Sequence, residues 1–465
     1  MSDALLALSH SRRRRVLPSV QGKGSTSAFC ESILRHTGCR TGLFTSPHLV
    51  NINERIRLDG APISDEKFCL YFWQVWNKLE ETCTPERGMP AYFRFLTLLG
   101  YYVFIKEGVD VAVVEVGLGG RIDSTNVVNR PIVCGIASLG FDHVELLGDT
   151  LAKIAREKAG IFKQGVPAFT MDQDPEAMAS LRACADERGV EFLERSQKIT
   201  DYALPPGRDA IELGIPGVHQ ETNAGLAVSL CSTFQARAGK AFGRIVTDDG
   251  SALTSDCVKG LELCKWPGRG QIERDSAANG GEENILFYLD GAHTKESMDC
   301  CARWYHSATK LALEARKGEK WLLFNCMQER DPNILFEPLA APNHATASGF
   351  TRALFVPFVS STKNLDQSNE SDFKWESSLK KIWDRMVARS RDQDVSAGGE
   401  RGGSSESSAL SSLGETPSST VCTAGSALTT LRTYARQNST KQIHVLVTGS
   451  LYLVGDFLRI LQKVP

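Results

Sequence analysis

The sequence predicts an α/β protein in two domains, each built on a mostly parallel sheet flanked by helices. Three observations carry this reading. Apolar, β-branched runs alternate with segments of helical period along most of the chain. A second such series begins after the Pro- and Gly-punctuated stretch "KWPGRGQ" at 265–271. A Gly-Lys-Gly-Ser turn, "GKGST" at 22–26, opens the helical segment "STSAFCESILRHTG", and such a helix start is where an anion is held.

From the amino terminus, "MSDALLALSHSRRRRVLPSV" is rich in Arg and Ser, which would suit an organellar transit peptide. Asp3 and the lack of a long amphipathic pattern argue instead for a disordered or misassigned start, so residues 1–21 are set apart as an atypical segment. In the first domain, 22–265, the stretches "VDVAVVEVG" (109–117), "PIVCGIAS" (131–138) and "GVPAFT" (165–170) read as buried strands. Between them "YFRFLTLLGYYVFIKEG" and "DTLAKIAREKAGIF" read as helices. Residues 266–271 are the expected linker. In the second domain, 272–465, "NILFYLDG", "KWLLFNC", "RALFVPF" and "IHVLVTGS" are strand-like. The Ser- and Gly-rich residues at about 389–420 cannot bury enough apolar surface to offset their ordering entropy, so a disordered insertion is expected there.

Composition narrows the function classes. Lys plus Arg (53) nearly cancels Asp plus Glu (55), which implies no broad basic face for nucleic acid. No apolar run reaches the length of a membrane span. The 13 cysteines are scattered without repeated CxxC pairs, so reduced, mostly buried thiols are expected rather than a zinc site.

The candidate chemistry lies at strand ends and helix starts. In "GKGST", backbone amides point at an anion, Lys23 supplies a charge for terminal phosphates, and the Ser25 hydroxyl can ligate magnesium. Short Gly/Lys/Ser clusters also occur in surface turns, so this motif alone does not decide. In "VAVVEVGLGGRIDSTNVV" the apolar run ends at Glu115 and breaks into "GLGG", which sets a carboxylate at the carboxyl end of a buried strand. Ligand crevices of α/β sheets lie there, and a buried charge needs a partner such as a metal ion. "SLGFDHVELLGDT" places Asp142 and His143 past the next strand, although a lone histidine is more often structural. Lys158 in "REKAGIF" has the small neighbours Ala155 and Ala159, which would let it approach the site; a solvated lysine is the alternative.

The blocks "GKGSTSAF", "TSPHLVNINERIRLDGAPIS", "YFRFLTLL", "VAVVEVGLGGRIDSTNVV", "GFDHVELLGDTLAKIAREKAGIFK", "HQETNAGLAV", "WPGRGQ", "LDGAHTKESM" and "LFNCMQERDP" occur in this order. Together they resemble the folylpolyglutamate synthases, eukaryotic type, of the Mur-ligase-like family, from about Gly22 to the carboxyl terminus. The resemblance implies a P-loop ATPase domain joined to a smaller Rossmann-like domain, with ATP bound between them. It implies that Gly22, Lys23, Gly24, Ser25 and Thr26 hold the phosphates and magnesium. Ser46 and Glu115 would complete one magnesium site, with His143 in a second. Lys158 would be the lysine that bacterial relatives carbamylate. His219, Gln220 and Asn223 would line the adenine side, Arg269 would reach the ATP phosphates, and Asp290 and His293 would face the nucleotide.

The implied reaction transfers the γ-phosphoryl group of ATP to a folate γ-carboxylate, and the amine of L-glutamate then displaces phosphate to form an amide. Implied cofactors are ATP and Mg2+, with a monovalent cation such as K+ as a further expectation. Implied partners are folate, L-glutamate and ATP, for a monomer in the cytoplasm with a mitochondrial pool, in the matrix or associated with the inner membrane.

Two departures stand out. The family loop reads Gly-Thr-x-Gly-Lys-Gly-Ser after a buried strand, whereas Ser19 and Val20 replace the first two residues and "RRRRVLP" precedes them. Four arginines and Pro18 do not suit a central strand, so the strand is expected to be missing. Gln328 stands where the family commonly has glycine. The competing readings are a dihydrofolate synthase acting on dihydropteroate, and a catalytically impaired folate- or nucleotide-binding protein.

Overall fold

In the computed structural model the chain forms two compact units, Met1–Trp266 and Pro267–Pro465. The structure describes residues 15–19, 23–86, 88–238, 242–276, 280–315, 318–340, 349–358, 373–397 and 418–462.

The first unit is organised by β5 (Val111–Glu115), buried along its whole length and apolar up to the carboxylate that ends it. It lies between β1 (Arg15–Ser19) and β2 (Thr41–Phe44), parallel to both, and β3 (Ile56–Leu58) and β4 (Ala61–Pro62) extend the sheet antiparallel, in the order β1-β5-β2-β3-β4. The two-residue period of a strand sends Val111 and Val113 to one face and Ala112 and Val114 to the other. The first pair packs with Phe29 and Ile33 of α1 (Lys23–His36) and with Leu230 and Phe234 of α7 (His219–Ala238). The second pair meets α2 (Asp65–Glu80) and α3 (Tyr92–Glu107) through Phe68, Leu99 and Phe104. A second, parallel sheet of β6 (Cys134–Ile136), β7 (Ala168–Thr170) and β8 (Leu193–Arg195) carries α4 (Val144–Leu147), α5 (Leu151–Lys158) and α6 (Pro175–Arg188) in its connections. α8 (Ser255–Glu262) closes the core against α1 through Val258 and Leu261.

The amino-terminal expectation is corrected here. Residues "RVLPS" form the strand before the phosphate loop, with Arg15 opposite Val111 and Ser19 opposite Glu115. The objection from charge and proline fails because three of the four arginines precede the strand and because β1 ends the described sheet. An end strand pairs on one side only, so a residue without an N–H is tolerated there.

The second unit is one six-stranded sheet in the order β13-β12-β11-β14-β10-β9. β10 (Ile285–Leu289), β11 (Glu319–Phe324), β12 (Arg352–Phe355), β13 (Ser418–Val421) and β14 (Ile443–Thr448) run parallel, and β9 (Gln271–Arg274) pairs antiparallel at one end. One face packs Tyr288, Leu322, Phe324 and Leu446 against α9 (Lys295–Ala315), α10 (Pro332–Ala340) and α11 (Lys374–Ala397). α12 (Ala424–Gln437) and α13 (Leu451–Ile460) lie on the other, where Trp321 meets Tyr434 and Phe287 meets Phe457. The expectation that about 389–420 lacks structure is corrected at both ends. Residues 389–397 continue α11 and 418–420 belong to β13, while 398–417 lie outside the described residues.

All 13 cysteines are free. Among the described residues, no helix is long and apolar enough to cross a membrane.

The second unit buries a histidine whose protonation the fold opposes. His444 of β14 has no exposed surface and stands in register with Lys320 of β11. Its Nδ1 shares a 3.0 Å hydrogen bond with the Tyr288 hydroxyl, and its Nε2 is buried without a partner. Burial, helped by the Lys320 charge, pushes the imidazole pKa down to about 4. The unfolded chain takes up this proton near pH ~6.5, so the stabilisation is complete above that value and is lost as pH falls toward about 4. Denaturant unfolding across this range is expected to show a loss of about 3 kcal/mol from this group, and His444→Gln should flatten the dependence by up to one proton.

Candidate functional site

The start of α1 is the first component. Lys23 is its first residue, no acidic side chain occupies its first turn, and Gly22 lies outside the described residues. The unsatisfied amides and the positive end of the helix dipole therefore face no internal anion on this helix. Ser25 and Thr26 are buried and tied to the start of α7. The Thr26 hydroxyl donates to Asn223 Oδ1 at 3.2 Å, Asn223 Nδ2 donates to Gln220 Oε1 at 2.8 Å, and Gln220 Nε2 reaches Ser25 Oγ at 3.5 Å. Gln220 Nε2 also lies 2.9 Å from His219 Nε2. Four expected nucleotide residues, separated by nearly two hundred positions, thus form one network.

The second component is the end of β5. Glu115 is 4% exposed, and its Oε2 accepts the Ser46 N–H at 3.0 Å. The loop bearing Ser46 is shaped by a residue that the motif reading passed over. The buried Glu54 carboxylate accepts the N–H groups of Leu49, Val50 and Asn51 at 2.8, 2.9 and 2.6 Å. Arg55 Nε meets His48 Nδ1 at 2.9 Å, and the Thr45 N–H donates to the Arg55 carbonyl at 3.0 Å. The one available signal was the charged pair in "NINERI" directly before a strand.

The third component joins the "GLGG" turn to Lys158. The Arg121 N–H donates to the Glu157 carbonyl at 3.0 Å, Arg121 Nε to Glu157 Oε1 at 3.0 Å, and Asn126 Nδ2 to the Gly160 carbonyl at 3.0 Å. A Cβ on Gly160 would fall 2.3 Å from Arg121 Cα. Lys158, the last residue of α5, is 3% exposed and so is no solvated surface lysine. Gly160→Ala is therefore expected to cost about 1–3 kcal/mol through backbone displacement and to lower activity, as read by thermal unfolding beside turnover.

His143 stands apart. It is half exposed, adopts a left-handed φ of 49°, and has its Nε2 3.8 Å from Asp142 Oδ1. Among the described residues, no group of three or more His, Cys, Asp or Glu side chains is arranged to hold a metal, so Glu115 and His143 do not belong to such a cluster.

In the second unit Asp290 follows β10 at the carboxyl end of the sheet. Its Oδ2 accepts the Gly270 N–H at 2.9 Å and its Oδ1 the Ala292 N–H at 3.0 Å. Gly291 N–H donates to the Gly268 carbonyl at 3.0 Å, and Gly268 N–H to Gln271 Oε1 at 2.9 Å. Arg269 is thus carried on a turn fastened on both sides to the Asp290 segment. His293 Nδ1 lies 2.7 Å from the Gly291 carbonyl, and its N–H donates to Ser297 Oγ at 3.1 Å. These groups occupy the strand end where α/β folds gather their ligands.

A phosphate-loop unit and a Rossmann-like unit, each with site residues at its strand ends, define the two-domain α/β fold of the Mur-ligase kind. No protein-family model matches the chain. It is similar to a folylpolyglutamate synthase of Arabidopsis thaliana, 43% identical over 472 residues, with 95% of this chain and 79% of that protein covered. It is 37% identical to the mitochondrial folylpolyglutamate synthase of Homo sapiens, covering 95% of this chain and 81% of that one. Among solved structures, the Mycobacterium tuberculosis folylpolyglutamate synthase complexed with ADP superposes with a TM-score of 0.70 at 23% identity, over 100% of this chain and 93% of that chain. That likeness shows the fold. The chain belongs to the folylpolyglutamate synthase family.

Proposed function

We propose that this chain is an ATP-dependent ligase that adds L-glutamate to the γ-carboxylate of folyl and tetrahydrofolyl glutamates. The observation that carries the reading is the network joining Ser25 and Thr26 to Gln220 and Asn223 at the start of α1, in a chain of this family. A carboxylate is a poor electrophile, so its oxygen first attacks the γ-phosphorus of ATP and ADP leaves. The glutamate amine then attacks the acyl carbon, phosphate departs with the C–O bond electrons, and the amine proton is released.

On the first unit the phosphate charge would be met by α1's amides and Lys23, and Arg269 is the phosphate-directed residue of the second unit; such groups stabilise transferring phosphoryl groups. In this reading Gly22, Gly24 and Thr26 would belong to the loop, Gln220 and Asn223 with His219 would border the nucleotide, and Asp290 and His293 would be the second unit's nucleotide-facing residues. The expected donor set would suit magnesium. Ser25, Ser46 and Glu115 offer hard oxygens, Glu115 is oriented by the Ser46 N–H, and Mg2+ uses few protein ligands while keeping several waters. When bound, the ion would neutralise phosphate charge. Glu115 would hold it, His143 would serve a second position, and Lys158, as a carbamate, would add an anionic oxygen pair. K+ is a further cation of the same reading, and the working form is a monomer in the cytosol with a mitochondrial pool.

The test is ATP- and Mg2+-dependent ligation of labelled glutamate to tetrahydrofolate, beside dihydropteroate as acceptor. The expected result is a lengthening folate product with one ADP and one phosphate per bond. Product from dihydropteroate alone would replace the reading with dihydrofolate synthase. Nucleotide and folate binding without turnover would replace it with a binding protein.

A further inference from the structure

One close contact at the start of α1 involves neither a ligand-facing hydroxyl nor an amide of the network. Gly24 lies against the indole of Trp266, so that a Cβ at position 24 would fall 2.8 Å from Nε1 and 3.3 Å from Cε2. Trp266 is half-buried and packs on the core shared by α1, α7 and α8. The same ring receives the guanidinium of Arg57, 5.1 Å from its centroid.

Arg57 is an expensive residue to keep in this place. It belongs to β3, opposite Leu43 of β2, and is buried, with Nε lacking a hydrogen-bond partner. Its Nη1 donates to the Gly60 carbonyl at 3.3 Å. Burial pushes its pKa down, and the charges of Glu54 and Glu31 oppose that shift. A guanidinium is weakly hydrated and favours an aromatic face, which makes the Trp266 ring a suitable neighbour for a buried cation. Gly24 itself lies in the first helical turn, where amides have no partner within the helix and are free to meet a phosphate.

We propose that Trp266, held by the Arg57 guanidinium, is a positioning residue for the phosphate loop, setting where the Gly24 amide stands and with it the affinity for a nucleoside di- or triphosphate. The inference rests on the ATP reading above. Trp266 is the last residue of the first unit and precedes Arg269 by three positions. The side chain that sets the loop therefore also begins the connection that carries the phosphate-directed arginine.

The experiment compares ADP affinity by calorimetry, KM for ATP and for glutamate, and the unfolding midpoint in the full chain and in Trp266→Phe, Trp266→Ala, Arg57→Lys and Arg57→Met. Displacement of a positioned group by about an ångström costs up to ~100-fold. Trp266→Ala and Arg57→Met are expected to weaken ADP binding and raise KM for ATP by about tenfold on that scale, with KM for glutamate unchanged. Trp266→Phe and Arg57→Lys, which keep a ring and a cation in place, should recover most of the affinity and serve if the harsher variants fail to fold. Lower unfolding midpoints with unchanged ADP affinity would make the stack merely structural and overturn the inference. Absence of ADP binding by the unaltered chain would overturn the nucleotide reading and this inference with it.

Discussion

Glu115→Gln should lower kcat by about 10²–10³-fold, the loss seen when one preorganised electrostatic group is removed from a reaction centre. The substitution keeps volume and an oxygen able to accept the Ser46 N–H, the 3.0 Å bond that orients the native carboxylate. What disappears is the negative charge at the end of β5, where the side chain is 4% exposed. Taking a carboxylate out of water is costly, and a neutral amide avoids that cost, so the unfolding midpoint should hold or rise while turnover collapses. A magnesium titration separates the causes: the variant should need more Mg2+ for half-maximal rate, if it can be saturated at all. Activity within about threefold of the native value, well under the loss expected for such a group, would remove Glu115 from the cation site.

Lys158→Met should be nearly as damaging to turnover, by about 10²-fold or more on the same scale, a loss larger than any fall in stability accounts for. Lys158 is buried at the end of α5, beneath the turn that Arg121 and Glu157 fasten. Methionine keeps much of the volume and the apolar stem, so a purely structural lysine would show its loss in the unfolding midpoint rather than in turnover. Turnover and thermal unfolding measured side by side check this directly. If the lysine acts as a carbamate, 13C-labelled bicarbonate should give a carbamate resonance in the native chain that is absent from the variant. Full activity of Lys158→Met would return the residue to the scaffold.

Much of the fold was legible because parallel strands announce themselves. β5 up to Glu115, and β14 apart from His444 and Thr448, are apolar runs, as suits strands covered on both faces, and a carboxylate ending such a run marks a site. What was not legible depends on contacts across long sequence distances. Glu54 gathers three amides within its own loop, but nothing in its spacing says that the loop will coil around it. Trp266 and Arg57 meet across more than two hundred residues, and neither belongs to a periodic pattern. The hydroxyl and amide partners Thr26 and Asn223 were placed in separate motifs, and only folding brought them to 3.2 Å. The misreading of "RVLPS" had a different origin. Charge and proline were weighed as for a strand paired on both sides, whereas β1 pairs with β5 alone among the described strands.

The pairing of Ser19 with Glu115 gives that first strand a phase as well as a position. Successive residues of a strand face opposite sides, so a slip of one position would turn every side chain of β1 over. It would also move the approach to the phosphate loop by about 3.3 Å along the sheet. The count of residues between this strand and α1 therefore matters to the approach as much as the residues themselves. In engineering terms, a single residue inserted into or deleted from "RVLPS" should do more harm than a substitution that keeps the character of the side chain it replaces.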